Sequence, residues 1–154
     1  MAYSAGVTIA CLLQDKLPKS DKKVAVNGNP LMTDTKFGIS KKITDLMLNL
    51  NLENCMEFIS TYIVYNEQEL KKFISTPSCR PFESSKQELI KLQEYCNLKY
   101  TPINFDKVIL SDNDKIFNPV TQQEYFKNNF VLLKNASHHT PFLRFSSTDE
   151  LFSL

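Results

Sequence analysis

Glycine and tryptophan are the residues that this sequence most lacks, with three glycines and no tryptophan in 154 residues. The glycines are Gly6, Gly28 and Gly38, and they are too far apart to form a G-x-G-x-x-G loop or a G-x-x-x-x-G-K-[ST] loop. Both loops need closely spaced glycines, because their backbone N–H groups must approach phosphate oxygens. Cofactor binding of these two types is therefore excluded, and we expect no cofactor.

Closely spaced metal ligands are missing as well. Structural zinc sites pair their ligands two to four residues apart, so that one tight turn presents both to the ion. The four cysteines are far more widely spaced than this, and the nearest two are Cys79 and Cys96. We therefore predict no metal site and no disulfide, with Cys11, Cys55, Cys79 and Cys96 as free thiols of a reducing compartment.

Long hydrophobic runs are absent too. The apolar run at residues 7–13 is interrupted by Thr8 and is too short to span a bilayer. Residues 1–10 contain no basic segment of the kind that begins a secretory signal. These features predict a cytoplasmic protein that does not contact a membrane.

No catalytic set stands out in the sequence. Cys79, next to Arg80 in a proline-rich segment, is the one cysteine in a setting that could favour a thiolate. The adjacent His138 and His139 fit a solvated turn, and the many carboxylates fit turns and helix caps. We therefore predict no catalytic residue and a protein that is not an enzyme. The enzymatic alternative is a small hydrolase or transferase that uses Cys79, His138 or His139.

The clearest folding signal that is present lies at residues 58–74. Residues 58–65 are rich in β-branched and aromatic side chains, which predicts a strand covered on both faces. Asn66 and Glu69 have the spacing of a capping box, so a helix should follow. Leu70, Phe73 and Ile74 would form its buried face.

Two further helices are predicted from apolar periodicity and caps. Ser40 would cap a helix through about residue 50, and Ser85 with Glu88 would form a second capping box for a helix ending near Asn97. Residues 77–82 contain two prolines and should form a connector. The tail, residues 147–154, could form one helical turn.

Short strands are predicted mainly in the last third of the chain. Residues 107–110 and 130–133 are short apolar runs, and residues 142–145 alternate, with a hairpin turn expected at residues 135–140. A strand is also favoured at residues 5–13, although a helix is possible there, and Val24 and Val26 could lie in another strand. Together the elements predict a single α+β domain over residues 1–154, with a mixed sheet of four to six short strands and about three helices. An α/β order is the alternative.

Residues 14–42 form a basic, loop-rich arm in this prediction. Residues 1–42 hold seven lysines against three aspartates, whereas the remainder of the chain is acidic. Lysines interspersed with Asn, Ser and Thr can neutralise phosphates while their neighbours donate hydrogen bonds. The predicted RNA-binding residues are Lys16, Lys19, Lys22, Lys23, Lys36, Lys41 and Lys42. A solvated loop, with lysines that serve solubility, is the other interpretation.

The lysine- and asparagine-rich arm at residues 14–42 resembles the ribosome-bound dormancy factors of microsporidia. The resemblance implies a non-enzymatic protein that associates with a large ribonucleoprotein, the ribosome above all, through rRNA phosphates, and that regulates translation by occupying a functional site. It transfers no individual site residue. The alternative is a protein-binding adaptor that uses exposed aromatic residues such as Tyr125, Phe126 and Phe142.

Overall fold

A four-stranded parallel sheet organises the structure, a computed structural model that describes residues 1–20, 22–76, 81–96, 98–127 and 129–154. The strands are β1 (Ala2–Tyr3), β2 (Val24–Val26), β3 (Lys107–Ser111) and β4 (Val131–Leu133), and they lie side by side in sequence order. Each neighbouring pair is parallel, with Ala25 opposite both Ala2 and Val108. The predicted mixed α+β sheet is therefore wrong, and the α/β alternative describes the fold.

Eight α-helices are seen in the described residues, rather than about three. They are α1 (Gly6–Leu12), α2 (Lys41–Leu48), α3 (Cys55–Phe58), α4 (Glu67–Ile74), α5 (Phe82–Tyr95), α6 (Pro119–Phe126), α7 (Thr140–Arg144) and α8 (Thr148–Ser153). A 3₁₀ turn at Gln14–Lys16 and a π-helical turn at Ile59–Ile63 complete the helical structure. None of the helices in these ranges is long and apolar enough to cross a membrane.

The two inner strands are buried on both faces. Side chains alternate across a strand, so Ala25, Val108 and Leu110 pack on one face with Val7 and Cys11 of α1. The opposite face carries Val24, Val26, Ile109 and Leu151, the last from α8. Burying each of the larger side chains contributes about 1.5–3 kcal/mol. The short apolar runs therefore specify central strands of a sheet that helices cover on both sides.

A helical insertion joins β2 to β3. It contains α2, α3, α4 and α5, and its core includes Met32, Ile43 and Phe58. This core continues into Ile116 and Phe117, which follow β3, so the insertion packs against the end of the sheet. The division into a single domain with an arm at residues 14–42 stays a prediction, although the strand expected at Val24 and Val26 is confirmed as β2.

Three predicted strands are helical instead. Residues 58–65 lie mainly in α3 and the π-helical turn, residues 5–13 lie mainly in α1, and residues 142–145 lie mainly in α7. A short apolar run suits a buried helix as well as a buried strand, and tertiary contacts decide between them. Phe58 and Tyr62, four residues apart, stack with ring centroids 4.9 Å apart, a contact that helical spacing allows.

Most of the predicted helix caps are confirmed. Asn66 accepts from the Glu69 N–H at 2.9 Å and begins α4, and Ser40 accepts from the Ile43 N–H and begins α2. Ser147 caps α8, which confirms the predicted turn in the tail. Ser85 is not a cap, because it lies inside α5. The hairpin at residues 135–140 is also wrong, since β4 runs parallel to β3 and is followed by α7. The helix end expected at Asn97 lies outside the described residues.

Candidate active site

Polar side chains gather at one edge of the sheet, where each strand ends. Ser4 follows β1, Asn27 follows β2, Asp114 lies in the turn after β3, and His138 comes after β4. Because the strands are parallel, their carboxyl ends meet at this edge. Residues far apart in the sequence are therefore brought together here.

Ser4 occupies a sharp turn between β1 and α1. Its backbone φ is 54°, a left-handed conformation that is uncommon for residues other than glycine. The Ser4 N–H donates to the Val26 carbonyl and the Ser4 carbonyl accepts from the Val7 N–H, each at 3.0 Å. Gly28 lies against this turn, where a Cβ would be 2.2 Å from the Ser4 carbonyl oxygen. The turn is thus held between its own helix and the segment after β2.

His138 lies between Ser4 and a carboxylate. Its Nε2 is 2.9 Å from Ser4 Oγ, and its Nδ1 is 2.8 Å from Asp114 Oδ2. The imidazole is buried, with ring centroids 5.0 Å from Tyr3 and 6.2 Å from Phe117. A carboxylate can only accept, so Nδ1 carries the proton and Nε2 is left to accept the Ser4 hydroxyl hydrogen.

Asp114 is fixed by the backbone of its own turn. Its Oδ1 accepts from the N–H groups of Ile116 at 2.8 Å and Phe117 at 3.0 Å, which leaves Oδ2 for His138. The side chain is almost fully buried. A buried carboxylate needs such hydrogen bonds to offset its lost hydration, and here they also set the direction of the oxygen that orients His138.

The helical insertion supports the turn that carries His138. Thr140 Oγ1 accepts from the Ser137 N–H at 2.8 Å and donates to Glu69 Oε2 at 2.6 Å. Glu69 is buried and also accepts from the Tyr65 N–H at 3.0 Å. The predicted capping box is therefore modified, because the Glu69 carboxylate bonds the N–H of Tyr65 and the hydroxyl of Thr140.

The neighbouring His139 has a different environment. It packs against the rings of Tyr3, Phe73 and Phe142, and its Nδ1 is 3.2 Å from Tyr3 Oη. Burial lowers the pKa of His139 to about 4, with a further lowering from His138 that Glu69 partly opposes. Burial also raises the pKa of Tyr3 well above its usual value. His139 therefore packs as a neutral ring beside the hydrogen-bonded set of Ser4, His138 and Asp114.

This burial predicts a loss of stability in acid. The unfolded His139 takes up a proton near its ordinary pKa of 6.5, whereas the folded residue stays neutral down to about pH 4. Between these values the unfolded state binds more protons, so the free energy of unfolding should fall as pH drops from 6.5 to 4. His139→Phe should make this dependence shallower, as measured by denaturant titrations across that range. Superimposable pH profiles of the two proteins would contradict the prediction.

The seven predicted RNA-binding lysines are distributed over several places. Lys16 lines a cleft of about 770 Å³ between α1 and α5, and Lys19, Lys22 and Lys23 line another of about 530 Å³. Lys36 pairs with Glu124, and Lys41 pairs with Asp45 at 2.8 Å. Lys42 is exposed on α2. An RNA-binding role for these lysines stays a prediction.

Among the described residues, none of the cysteines or aromatic adaptor candidates makes a hydrogen bond to Ser4 Oγ. Cys79 lies outside the described residues, and Cys11 and Cys96 are buried thiols whose pKa burial raises. The adaptor candidates are half-buried and contact other rings, with Tyr125 4.9 Å from Phe126 and Phe142 4.8 Å from Tyr3 between ring centroids. In the described ranges, no three His, Cys, Asp or Glu side chains form a cluster that could hold a metal.

The sequence pattern did not identify Ser4 or Asp114 as site residues, and the solvated turn predicted for His138 is wrong, because that residue is buried. Residues 2–6, A-Y-S-A-G, match the serine and the second glycine of G-x-S-x-G, the nucleophile-elbow motif, but have Ala2 in place of its first glycine. The order Ser4, Asp114, His138 is also the order in α/β-hydrolases. The incomplete motif and the order of the three residues were the available signals. A nucleophile elbow lies between a strand and a helix, so the strand predicted at residues 5–13 did not fit the motif.

A parallel sheet with a serine elbow, a buried aspartate and a histidine at its carboxyl edge defines the α/β-hydrolase class. In agreement, the fold is similar to that of 2-hydroxy-6-oxo-6-phenylhexa-2,4-dienoate hydrolase from Rhodococcus sp. strain RHA1, with a TM-score of 0.57 and 15% identity over 97% of this chain and 60% of the other. Residues 1–151 match the family model described as pimeloyl-ACP methyl esterase BioG, so the chain belongs to the BioG family.

Three individual proteins are also similar to this chain. The crystal structure of BioG from Haemophilus influenzae is similar with a TM-score of 0.83 and 27% identity, over 97% of this chain and 70% of that one. An uncharacterised protein of H. influenzae is 29% identical over 99% of this chain and 71% of its own length. A malonyl-[acyl-carrier protein] O-methyltransferase of Bacteroides fragilis is 27% identical over 80% of this chain. The chain spans only 26% of that methyltransferase.

The family overturns the functional predictions made from the sequence. The resemblance to microsporidian dormancy factors is wrong, as are the ribosome as partner, a role in translation and the absence of enzymatic function. The physical reason is that lysine content reports charge and not site geometry. Serine, aspartate and histidine define a site only when the fold brings them together.

Proposed function

We propose that this chain carries the catalytic triad of a serine esterase, with Ser4 as nucleophile, His138 as general base and acid, and Asp114 as the residue that orients His138. The observation that carries the proposal is the continuous hydrogen-bonded path from Ser4 Oγ through the His138 ring to Asp114, at 2.9 Å and 2.8 Å. This is the geometry of an activated serine.

Each step of ester hydrolysis has a group in place. As Ser4 Oγ attacks the ester carbonyl carbon, its proton passes to His138 Nε2, and the resulting imidazolium is stabilised by Asp114. The carbon–alkoxide bond then breaks, and the alcohol leaves with the proton from His138. Water attacks the acyl-Ser4 ester in the same manner and releases the carboxylic acid. We assign one oxyanion donor to the backbone N–H of Ala5, because in this class of site the residue after the nucleophile supplies such a donor.

The proposed substrate is the methyl ester of a dicarboxylic acyl group carried on acyl-carrier protein. This proposal rests on membership of the family described as pimeloyl-ACP methyl esterase. Hydrolysis would consume water and release methanol and a free distal carboxylate, while the thioester to the carrier protein stays intact. We place this activity in the cytoplasm, where the described cysteines would remain free thiols.

The test supplies the protein with pimeloyl-ACP methyl ester and follows methanol release and the mass of the acyl-carrier protein. The expected result is one methanol per acyl group and a mass decrease equal to replacement of methyl by hydrogen. Release of the whole acyl group would indicate thioester hydrolysis instead. Absence of both reactions, in protein that melts cooperatively, would contradict the proposed function.

Methyl transfer is a less well supported function. The B. fragilis relative is named as a methyltransferase, but this chain matches only about a quarter of its length. A Ser–His–Asp arrangement activates a hydroxyl for attack on an acyl carbon, which is hydrolytic chemistry and not methyl transfer. We therefore assign esterase function to the matched region.

A further inference from the structure

Asn27 is a buried amide that the triad itself does not use. It is the residue immediately after β2, its backbone φ is 43°, and its side chain is 1% exposed. Its position places it at the carboxyl edge of the sheet, between the turn after β3 and the segment that carries His138.

The side chain bonds both neighbouring segments at once. Its Oδ1 accepts from the Ser111 N–H at 2.8 Å, and its Nδ2 donates to Ser111 Oγ at 2.8 Å and to the His138 carbonyl at 2.7 Å. A longer contact of 3.4 Å joins Nδ2 to the Ser137 carbonyl. A backbone N–H can only donate and a carbonyl can only accept, so these partners fix the orientation of the amide.

Both segments joined by Asn27 carry triad residues. The Ser111 carbonyl accepts from the Asp114 N–H at 3.3 Å, so Ser111 closes the turn that presents the acid. The His138 carbonyl belongs to the proposed base itself. One amide therefore connects the backbone that holds Asp114 to the backbone that holds His138, and neither connection passes through their side chains.

We infer that Asn27 is a positioning residue that sets the separation of Asp114 and His138. Without the Nδ2 donor, the His138 carbonyl loses this hydrogen bond at the triad residue itself. The two segments then stay joined at residues 136 and 137, where the Asn113 N–H donates to the Ala136 carbonyl at 2.9 Å and the Ser137 hydroxyl donates to the Asn113 carbonyl at 3.4 Å. The Nδ1–Oδ2 contact of 2.8 Å is no longer supported by a bond to the backbone of His138. A displacement of about 1 Å in a reacting constellation can lower the rate about 100-fold. This inference rests on the proposed esterase function, which is the reaction that the positioned residues would carry out.

The chain offers a matched control in Asn29. This residue is equally buried and also uses both ends of its amide, accepting from the Leu31 N–H at 2.7 Å and donating to Gln122 Oε1 at 3.1 Å. Neither contact reaches the segments of Asp114 or His138. Loss of the Asn29 amide should therefore destabilise the fold without moving the triad.

The experiment compares Asn27→Gly with Asn29→Ala. Glycine tolerates the positive φ of residue 27 and adds no charge. The first measurement is the low-field proton resonance of the His138–Asp114 hydrogen bond, assigned by its loss in His138→Gln. The second is the rate at which an alkyl fluorophosphonate modifies Ser4. For Asn27→Gly we expect a shifted or lost resonance and a modification rate about 10–100-fold lower than that of the wild type. Asn29→Ala should show the resonance and the modification rate of the wild type.

Asn27→Asp is the second variant, in case the glycine variant does not fold. It keeps the acceptor for the Ser111 N–H and removes the donors to the His138 carbonyl, so the same two changes are expected. An unchanged resonance and rate in a folded residue-27 variant would overturn the inference, as would failure of both variants to fold. If wild-type Ser4 does not react at all, the proposed esterase function fails, while the resonance still tests Asn27.

Discussion

Ser4→Ala is expected to lower the rate of ester hydrolysis by at least about 1000-fold, because it removes the atom that attacks the ester carbonyl. The hydroxyl makes one described contact, to His138 Nε2, so its removal should change the free energy of unfolding by no more than about 1–2 kcal/mol. A steady-state assay with the methyl ester substrate and a denaturant titration separate the two effects.

Ser60→Ala is the matched control for this substitution. Ser60 is exposed, and its hydroxyl donates to the Glu57 carbonyl within its own helical segment. This variant should keep full activity. Fluorophosphonate modification should add mass at Ser4 in wild type and at no residue in the Ser4→Ala variant. Comparable hydrolysis by Ser4→Ala and wild type would remove Ser4 from the mechanism.

Asp114→Asn should lower the rate of hydrolysis by about 1000–10,000-fold while the fold is kept. The asparagine oxygen can still accept from the N–H groups of Ile116 and Phe117, so the turn has its partners. The amide nitrogen would then face His138 Nδ1 and donate to it. This forces the proton of the imidazole onto Nε2, where it blocks acceptance of the Ser4 proton.

Asp112→Asn controls for the loss of a carboxylate in the same turn. Asp112 Oδ1 accepts from the Ala136 N–H at 3.1 Å, a bond that the asparagine oxygen can also make. The rate of hydrolysis by the Asp112→Asn variant should remain within about threefold of the wild-type rate, as expected for a substitution away from the reacting atoms. Equal activity losses in the two variants would show that general charge, and not the His138 tautomer, is responsible.

Several elements were determined by their local sequence. The short apolar runs at residues 24–26, 107–110 and 130–133 form β2, β3 and β4, because β-branched and aliphatic side chains fit a sheet covered on both faces. Ser40 and Asn66 begin helices because their side-chain oxygens accept a backbone N–H three residues ahead. These signals depend only on residues that are near each other in the sequence, so the elements can be predicted without knowledge of the fold.

Only the tertiary structure decided the secondary structure of residues 58–65, the relative direction of the strands and the assembly of the candidate active site. An apolar run can be buried in either a strand or a helix, and its packing against the insertion core selected the helix here. Parallel pairing followed from the helical connections between strands. Ser4 and His138 are 134 residues apart in the chain, and no local pattern encodes the 2.9 Å between their side chains. That distance exists because parallel strands bring their carboxyl ends to one edge of the sheet.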